Sequence, residues 1–115
     1  MTTPMREPTY FILASLQDEP LHGYAIITRA GELSRGRVRL ATGTLYAALD
    51  RLAGEGYVTS THEEIVNGRA RRYYRLTPEG AAALRSEAEA MAAAARVVTD
   101  RTPRSVAPRP AAGLA

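Results

Sequence analysis

Apolar side chains recur at every third or fourth position over three stretches in the first half of the chain, which is the spacing of amphipathic helices. The first predicted helix runs from about Pro8 to Gln17, and the second from His22 to Leu33. The third begins near Thr42 and ends near Gly56. One apolar stripe of this helix faces the core and consists of Leu45, Leu49 and Leu52. The arginine-rich segment 35–39 before it is predicted to be a loop or a short strand.

The period of the pattern changes from helical to two after the third helix. Residues 57–66 and 70–76 are rich in β-branched and aromatic side chains, as expected of strands. Between them stands Asn67-Gly68, a dipeptide that is the strongest short signal for a β-hairpin. The two segments are therefore predicted to pair as an antiparallel hairpin.

A fourth helix is predicted to follow the hairpin and to continue to about Asp100. Thr77 is a suitable N-cap residue, and Pro78 fits the first turn of a helix. The negative charge of Glu79 suits the positive end of the helix dipole. Its apolar positions alternate spacings of three and four, which is heptad order; they are Ala81, Leu84, Ala88, Met91, Ala95 and Val98. This seam predicts packing against a second copy of the chain, and the alternative is a helix that folds back on its own domain.

The order of three helices, a hairpin and a long helix predicts a mainly α (α+β) fold, a winged helix-turn-helix with a C-terminal dimerisation helix. Residues 8–77 would form the winged helix-turn-helix domain, and residues 78–100 the dimerisation helix. Residues 101–115 are proline-rich with little to bury, so this tail is expected to be disordered. Contact of its arginines with DNA or with a partner is the weaker alternative.

Composition narrows the chemistry that the chain can perform. The 115 residues suggest one domain, and the absence of cysteine removes disulfides and thiolate metal sites. His22 and His62 are expected to be solvated or capping side chains. The sequence has no phosphate-binding glycine loop and no nucleophile with a positioned base, and the adjacent Glu63 and Glu64 point to opposite faces of a strand. We therefore predict no enzyme, no catalytic residue, no metal and no cofactor.

The positive charge is carried by arginine alone, with 15 arginines, no lysine and a formal net charge of +3. Arginine makes planar two-point contacts with phosphate and guanine that lysine cannot make, although a GC-rich genome would also favour it. Eight arginines stand in residues 35–75 against four acidic residues. The sequence has neither a membrane-spanning apolar run nor the start of a signal peptide, so we expect a cytoplasmic protein without membrane contact.

Three blocks of sequence stand in a fixed order. They are Pro20-Leu21-His22-Gly23-Tyr24, then Gly43-Thr44-Leu45-Tyr46 with Glu55-Gly56-Tyr57-Val58, and then Gly68-Arg69-Ala70-Arg71-Arg72-Tyr73-Tyr74-Arg75-Leu76-Thr77. In this order they resemble the PadR family of transcriptional regulators, over roughly residues 8–100. Ala41-Thr42 stands where the family usually has Ser-Pro, and Ala47 where it often has proline. The resemblance implies a DNA-binding regulator of the subgroup with one dimerisation helix.

The predicted DNA contacts lie at the start of the third helix and in the hairpin. The second helix of a helix-turn-helix enters the major groove with its first residues toward the bases, although Thr42 could merely cap and Tyr46 merely pack. Hairpin arginines can reach the minor groove or flanking phosphates, and the resemblance implies backbone contact by Tyr24. The full predicted set is Tyr24, Arg39, Thr42, Gly43, Thr44, Tyr46, Arg51, Arg69 and Arg72.

Together these features predict a ligand-responsive homodimeric repressor that binds a pseudo-palindromic operator in double-stranded DNA. The dimer contacts are expected from Leu84, Ala88, Met91, Ala95 and Val98. The resemblance implies a small aromatic or drug-like effector, which the sequence does not identify. The rival hypothesis is a winged-helix module that binds protein. The hairpin arginines together with the hydroxyls at the helix start favour DNA.

Overall fold

The order of the elements follows the predicted one, with one strand added. A computed structural model describes residues 5–101 of the chain. In chain order it contains α1 (Glu7–Ser15), β1 (Leu21–His22), α2 (Gly23–Leu33), α3 (Thr42–Gly54), β2 (Val58–Val66), β3 (Arg69–Leu76) and α4 (Pro78–Thr99). Helix α3 ends at Gly54, two residues before Gly56, near which its end was predicted. The predicted tail lies outside the described residues from position 102 onward.

The core lies where the three short helices meet the base of the hairpin. Leu45, Leu49 and Leu52 of α3 are fully buried, as their spacing predicted. They belong to one cluster with apolar side chains of other elements, namely Ile12, Leu13, Leu16, Ile26, Val58, Tyr74 and Leu84. Replacing a core leucine by alanine costs about 2–5 kcal/mol. The stripe therefore fixes which side of α3 faces inward and which side faces solvent.

The predicted hairpin is formed by β2 and β3. Asn67 and Gly68 have φ angles of 52° and 78°. Two successive residues with positive φ make the type I′ turn, whose twist matches that of the flanking strands. The register pairs Val66 with Arg69 at the tip and shifts between Ser60 and His62. Such a bulge increases the local twist, so the outer part of the hairpin turns relative to its base.

The strand that the sequence did not predict is β1, which pairs antiparallel with β3. Leu21 lies opposite Tyr74, and His22 lies opposite Tyr73. The strand order in the sheet is β1-β3-β2. Two residues are too few to show a period of two, so local pattern could not reveal this strand. Its pairing holds the start of α2 beside the hairpin.

Helix α4 begins in a cap that joins it to the base of the hairpin. The Thr77 hydroxyl oxygen accepts a hydrogen bond from the Gly80 N–H at 2.9 Å and donates one to the Gly56 carbonyl at 2.5 Å. Gly80 lies against the Tyr57 carbonyl, where a side chain would collide with the backbone. The cap predicted at Thr77 is therefore present, and it sets the direction in which α4 leaves the core.

The two halves of α4 differ in burial. Leu84 is 5% exposed and packs in the core of its own chain. This corrects the predicted dimer seam, because a side chain buried in its own core offers almost no surface to a partner. Farther along, Met91 is 42% exposed and Val98 73%, while Ala88 is half-buried and Ala95 exposed. Neither α4 nor any other helix of residues 5–101 is long and apolar enough to cross a bilayer.

Candidate nucleic-acid interface

A groove of about 400 Å³ separates the starts of α2 and α3 from the tip of the hairpin. Tyr24 and Tyr46 line its helical side, and Arg69 and Arg71 line its hairpin side. The complete lining is His22, Gly23, Tyr24, Tyr46, Val66, Asn67, Arg69, Ala70 and Arg71. We name this feature the tyrosine–arginine groove. Three of the predicted DNA contacts meet here, although they are distant in sequence.

The start of α3 presents polar groups to solvent beside this groove. Thr42, Gly43 and Thr44 are all exposed, whereas the next residue, Leu45, is fully buried. The N-cap position is held by Ala41, which offers no side-chain hydrogen bond to the helix. The first N–H groups of a helix have no partner within the helix and carry partial positive charge. This end of α3 can therefore bind an anion or a hydrogen-bond acceptor.

The two tyrosines of the groove differ in how they are held. Tyr24, in the first turn of α2, is 76% exposed, and Tyr46 of α3 is 41% exposed. The Tyr46 hydroxyl lies so close to Gly23 that a Cβ atom there would stand only 2.5 Å from the hydroxyl oxygen. Tyr24 is thus an outward-pointing side chain, whereas Tyr46 bridges α3 and α2 and keeps part of its ring in the groove.

The hairpin arginines separate onto two faces because side chains alternate along a strand. Arg69 pairs across the sheet with Val66, and Arg71 with Glu64, so both point to the face that borders the groove. Arg72 lies on the other face, where its Nε atom donates to Glu63 at 3.2 Å. The sequence predicts DNA contacts from Arg69 and Arg72 and none from Arg71. The period of two within β3 was the signal that could have selected Arg71.

A cluster of aromatic side chains supports the groove from the sheet. The His22 Nδ1 atom caps α2 by accepting from the Ala25 N–H at 3.3 Å, and its ring meets Tyr73 edge-on at 5.4 Å. The Tyr73 hydroxyl donates to Glu64 at 2.7 Å, and this bond raises the pKa of Tyr73. Desolvation lowers the pKa of His22, as does the positive charge of Arg71, while Glu64 opposes both. His22 is therefore favoured as a neutral acceptor.

Besides Arg72, two further predicted contacts lie apart from the groove. The exposed Arg39 turns back on its own loop, with its Nε atom donating to the Gly36 carbonyl at 3.3 Å. Arg51 stands two turns beyond Thr44 on α3, donates to the Thr9 hydroxyl at 3.0 Å and lies 3.7 Å from Glu55. The structure thus gives Arg51 partners within its own chain and does not bring it to the tyrosine–arginine groove.

The chain is similar to known proteins in both sequence and structure. Residues 12–86 match the model of the transcriptional regulator PadR-like family. The transcriptional regulator Rv3488 of Mycobacterium tuberculosis is 45% identical over 87 residues, which cover 76% of this chain and 78% of that protein. A PadR family transcription regulator from Clostridium difficile has a TM-score of 0.69 and 25% identity, over 83% of this chain and 97% of that one. Bacillus subtilis PadR in complex with operator DNA has a TM-score of 0.62 and 27% identity, over 70% of this chain and 47% of that one.

Proposed function

Because the chain belongs to the PadR-like family of transcriptional regulators, we propose that it binds operator DNA as a homodimer and represses transcription. The resemblance identified in the sequence and the mixed winged-helix fold are both confirmed by the family match and by the structural neighbours. The family consists of transcriptional regulators and not of enzymes, which agrees with the predicted absence of catalysis.

The observation that carries the proposal is the exposed start of α3 beside a groove lined by two arginines. In the proposed complex α3 enters the major groove, and the Thr44 hydroxyl and methyl meet base edges, including a thymine methyl. Arg69 and Arg71 contact phosphates, and so do the first N–H groups of α3. Tyr24 and Tyr46 lie against the DNA backbone, because both line the tyrosine–arginine groove beside α3, which is the reading helix of the proposed complex.

We propose that residues 8–77 form the DNA-binding unit and that the second half of α4 joins two copies. Met91, Ala95 and Val98 are exposed apolar side chains that continue the seam beyond the core, and small alanines let two helices approach closely. The 22 residues of α4 span about 33 Å. Two reading helices about one DNA turn, roughly 34 Å, apart can enter successive major grooves. A pseudo-palindromic operator follows from the two-fold symmetry.

Repression would follow from occupation of a promoter by this dimer. A small aromatic effector bound near α4 would relieve repression only if it binds one packing of the two α4 helices better than the other. A groove between α1, α3 and α4 runs along this helix and is lined in part by Tyr57, Ala83 and Ala90. Tyr57 and the two alanines offer an apolar surface to a flat ring. The charged side chains that share the lining, Arg6, Arg51, Glu55 and Glu87, offer partners for polar substituents, so we place the effector at α4.

The proposal is tested by titrating the protein into a labelled duplex from the promoter of its own gene, with a shuffled duplex as control. We expect two chains per site and a clear preference for the promoter duplex. Thr44→Ala should cost about 1–3 kcal/mol and relax the preference at one position of each half-site. The protein-binding alternative would be favoured if the wild type bound both duplexes equally well and Thr44→Ala bound them as the wild type does.

A further inference from the structure

The contact between Gly23 and Tyr46 has a role that neither the family nor the fold assigns. We propose that Gly23 is a positioning residue for DNA binding, because it leaves open the space into which the Tyr46 side chain fits. The inference rests on the proposed function, since it concerns how the operator-binding surface is held in place. The absence of a side chain at position 23 of α2 thus determines where a tyrosine of α3 can lie.

The close approach is what makes glycine necessary at this position. A Cβ atom on Gly23 would lie 2.5 Å from the Tyr46 hydroxyl oxygen and 2.9 Å from its Cζ atom. The φ angle of Gly23 lies outside the left-handed range, so the backbone itself would accept another residue. Gly31, in the same helix, provides the comparison, because a Cβ there would make only an ordinary 3.7 Å contact with the Val38 carbonyl.

The consequence of filling this space falls on Tyr46 and not on the core. The two atoms in collision form the far end of a side chain that is 41% exposed, so the ring can swing outward into solvent. The nearest core atom is the Leu45 Cδ2 atom at 3.4 Å, which is ordinary van der Waals contact. A methyl group at position 23 should therefore displace the ring while leaving the packing of α3 almost unchanged.

The displaced ring would no longer match the other groups of the tyrosine–arginine groove. In the structure the Tyr46 hydroxyl lies at the start of α2, next to Tyr24 and on the opposite wall from Arg69 and Arg71. DNA that contacts all four side chains at once requires them at fixed separations. Since the cost arises only through Tyr46, it should vanish when Tyr46 is absent.

The experiment compares Gly23→Ala with the matched control Gly31→Ala, alone and combined with Tyr46→Ala. Melting temperature reports the fold, the ring resonances of Tyr46 report its environment without DNA, and titration with the promoter duplex reports binding. Gly23→Ala should shift the Tyr46 resonances and weaken binding by about tenfold or more. Gly31→Ala should change neither, and Gly23→Ala should have no further effect on binding in the Tyr46→Ala background.

Unshifted Tyr46 resonances in Gly23→Ala, or a loss of affinity that adds fully to that of Tyr46→Ala, would overturn the inference. If Gly23→Ala does not fold, recovery of the fold in the double variant supports the contact, and no recovery rejects it. If the wild-type protein does not select its promoter duplex, the proposed function fails and the binding role of Gly23 fails with it. The resonances then still report whether the space is reserved for Tyr46.

Discussion

Gly43 gives the sharpest test of the proposed DNA surface, because the fold supplies no reason for a glycine there. It is the second residue of α3, and its φ angle lies outside the left-handed range. Apart from its chain neighbours and the backbone of its own helix, no atom of the described residues stands within 4 Å of a Cβ built on it. Alanine is a better helix former than glycine by up to about 1 kcal/mol in a helix interior. The bare backbone at this position therefore costs stability and provides space for something outside the chain.

We predict that Gly43→Ala makes the protein more stable and weakens its binding to DNA. Near a helix end the gain should be about half of the interior value, roughly 0.5 kcal/mol, or about 2–4 °C in melting temperature for a domain of this size. In the complex the new methyl group would hold the phosphate away from the first N–H groups of α3. Loss of one hydrogen bond to a charged group costs about 1.5–3 kcal/mol, or roughly 10–150-fold in affinity per half-site.

The control is Gly54→Ala at the opposite end of the same helix, where a Cβ would likewise meet no atom of residues 5–101. Thermal melts and anisotropy titrations with the promoter duplex should be run on both variants. Only Gly43→Ala should lose affinity, whereas neither variant should lose stability. If Gly43→Ala binds the duplex as tightly as the wild type does, DNA does not approach the start of α3 and the reasoning is refuted.

Three further predictions follow from the hairpin, from α4 and from His22. Arg69→Ala and Arg71→Ala should each flatten the slope of log K against log salt by about 0.9 per lost phosphate contact, or about 1.8 per dimer. Arg72 lies on the other face, where it pairs with Glu63, so Arg72→Ala should leave the slope nearly unchanged. Equal slopes for all three variants would refute the assignment. Met91→Glu should give monomers in sedimentation with the fold retained, and Ala93→Glu, off the seam, should not; dimeric Met91→Glu would place the interface elsewhere. The pKa of His22 is lowered in the folded chain, so below about pH 6.5 the folded chain binds fewer protons than the unfolded chain. Protonation then favours the unfolded chain, and the free energy of unfolding decreases as the pH falls. His22→Asn keeps a capping acceptor and should lose less melting temperature on the acid side; parallel curves for the two proteins would contradict this.

Signals confined to a few neighbouring residues were sufficient to predict most of the fold. The stripe of Leu45, Leu49 and Leu52 placed α3, and Asn67-Gly68 placed the turn, because periodicity and positive φ depend on local sequence. The two-residue strand β1 exists only through its pairing with β3, about 50 residues away along the chain, so no local pattern could reveal it. The tyrosine–arginine groove has the same origin, since its walls meet only after that pairing forms.

The two revisions at the sites have different physical causes. Leu84 fits the heptad seam because the same face of α4 first packs in its own core and then continues into solvent. The spacing of apolar residues indicates which face of a helix is buried, but not whether its own chain or a second copy covers that face. Arg71, by contrast, was within reach of the sequence, because it stands two residues from Arg69 in a strand and must share its face. Charge density alone had grouped Arg72 with Arg69.

The candidate DNA contacts can be ranked by whether their polar groups already have hydrogen-bond or ion-pair partners inside the chain. Arg51 is bonded to Thr9, and Arg72 to Glu63, so each would have to exchange a partner before it could bind phosphate. Thr44 is exposed, and Gly43 lacks a side chain where one would be tolerated. Gly54 shows that an unneeded glycine is not sufficient evidence alone. What distinguishes Gly43 is its place in the first turn of α3, where N–H groups without a partner in the helix can bind an acceptor that approaches the bare backbone.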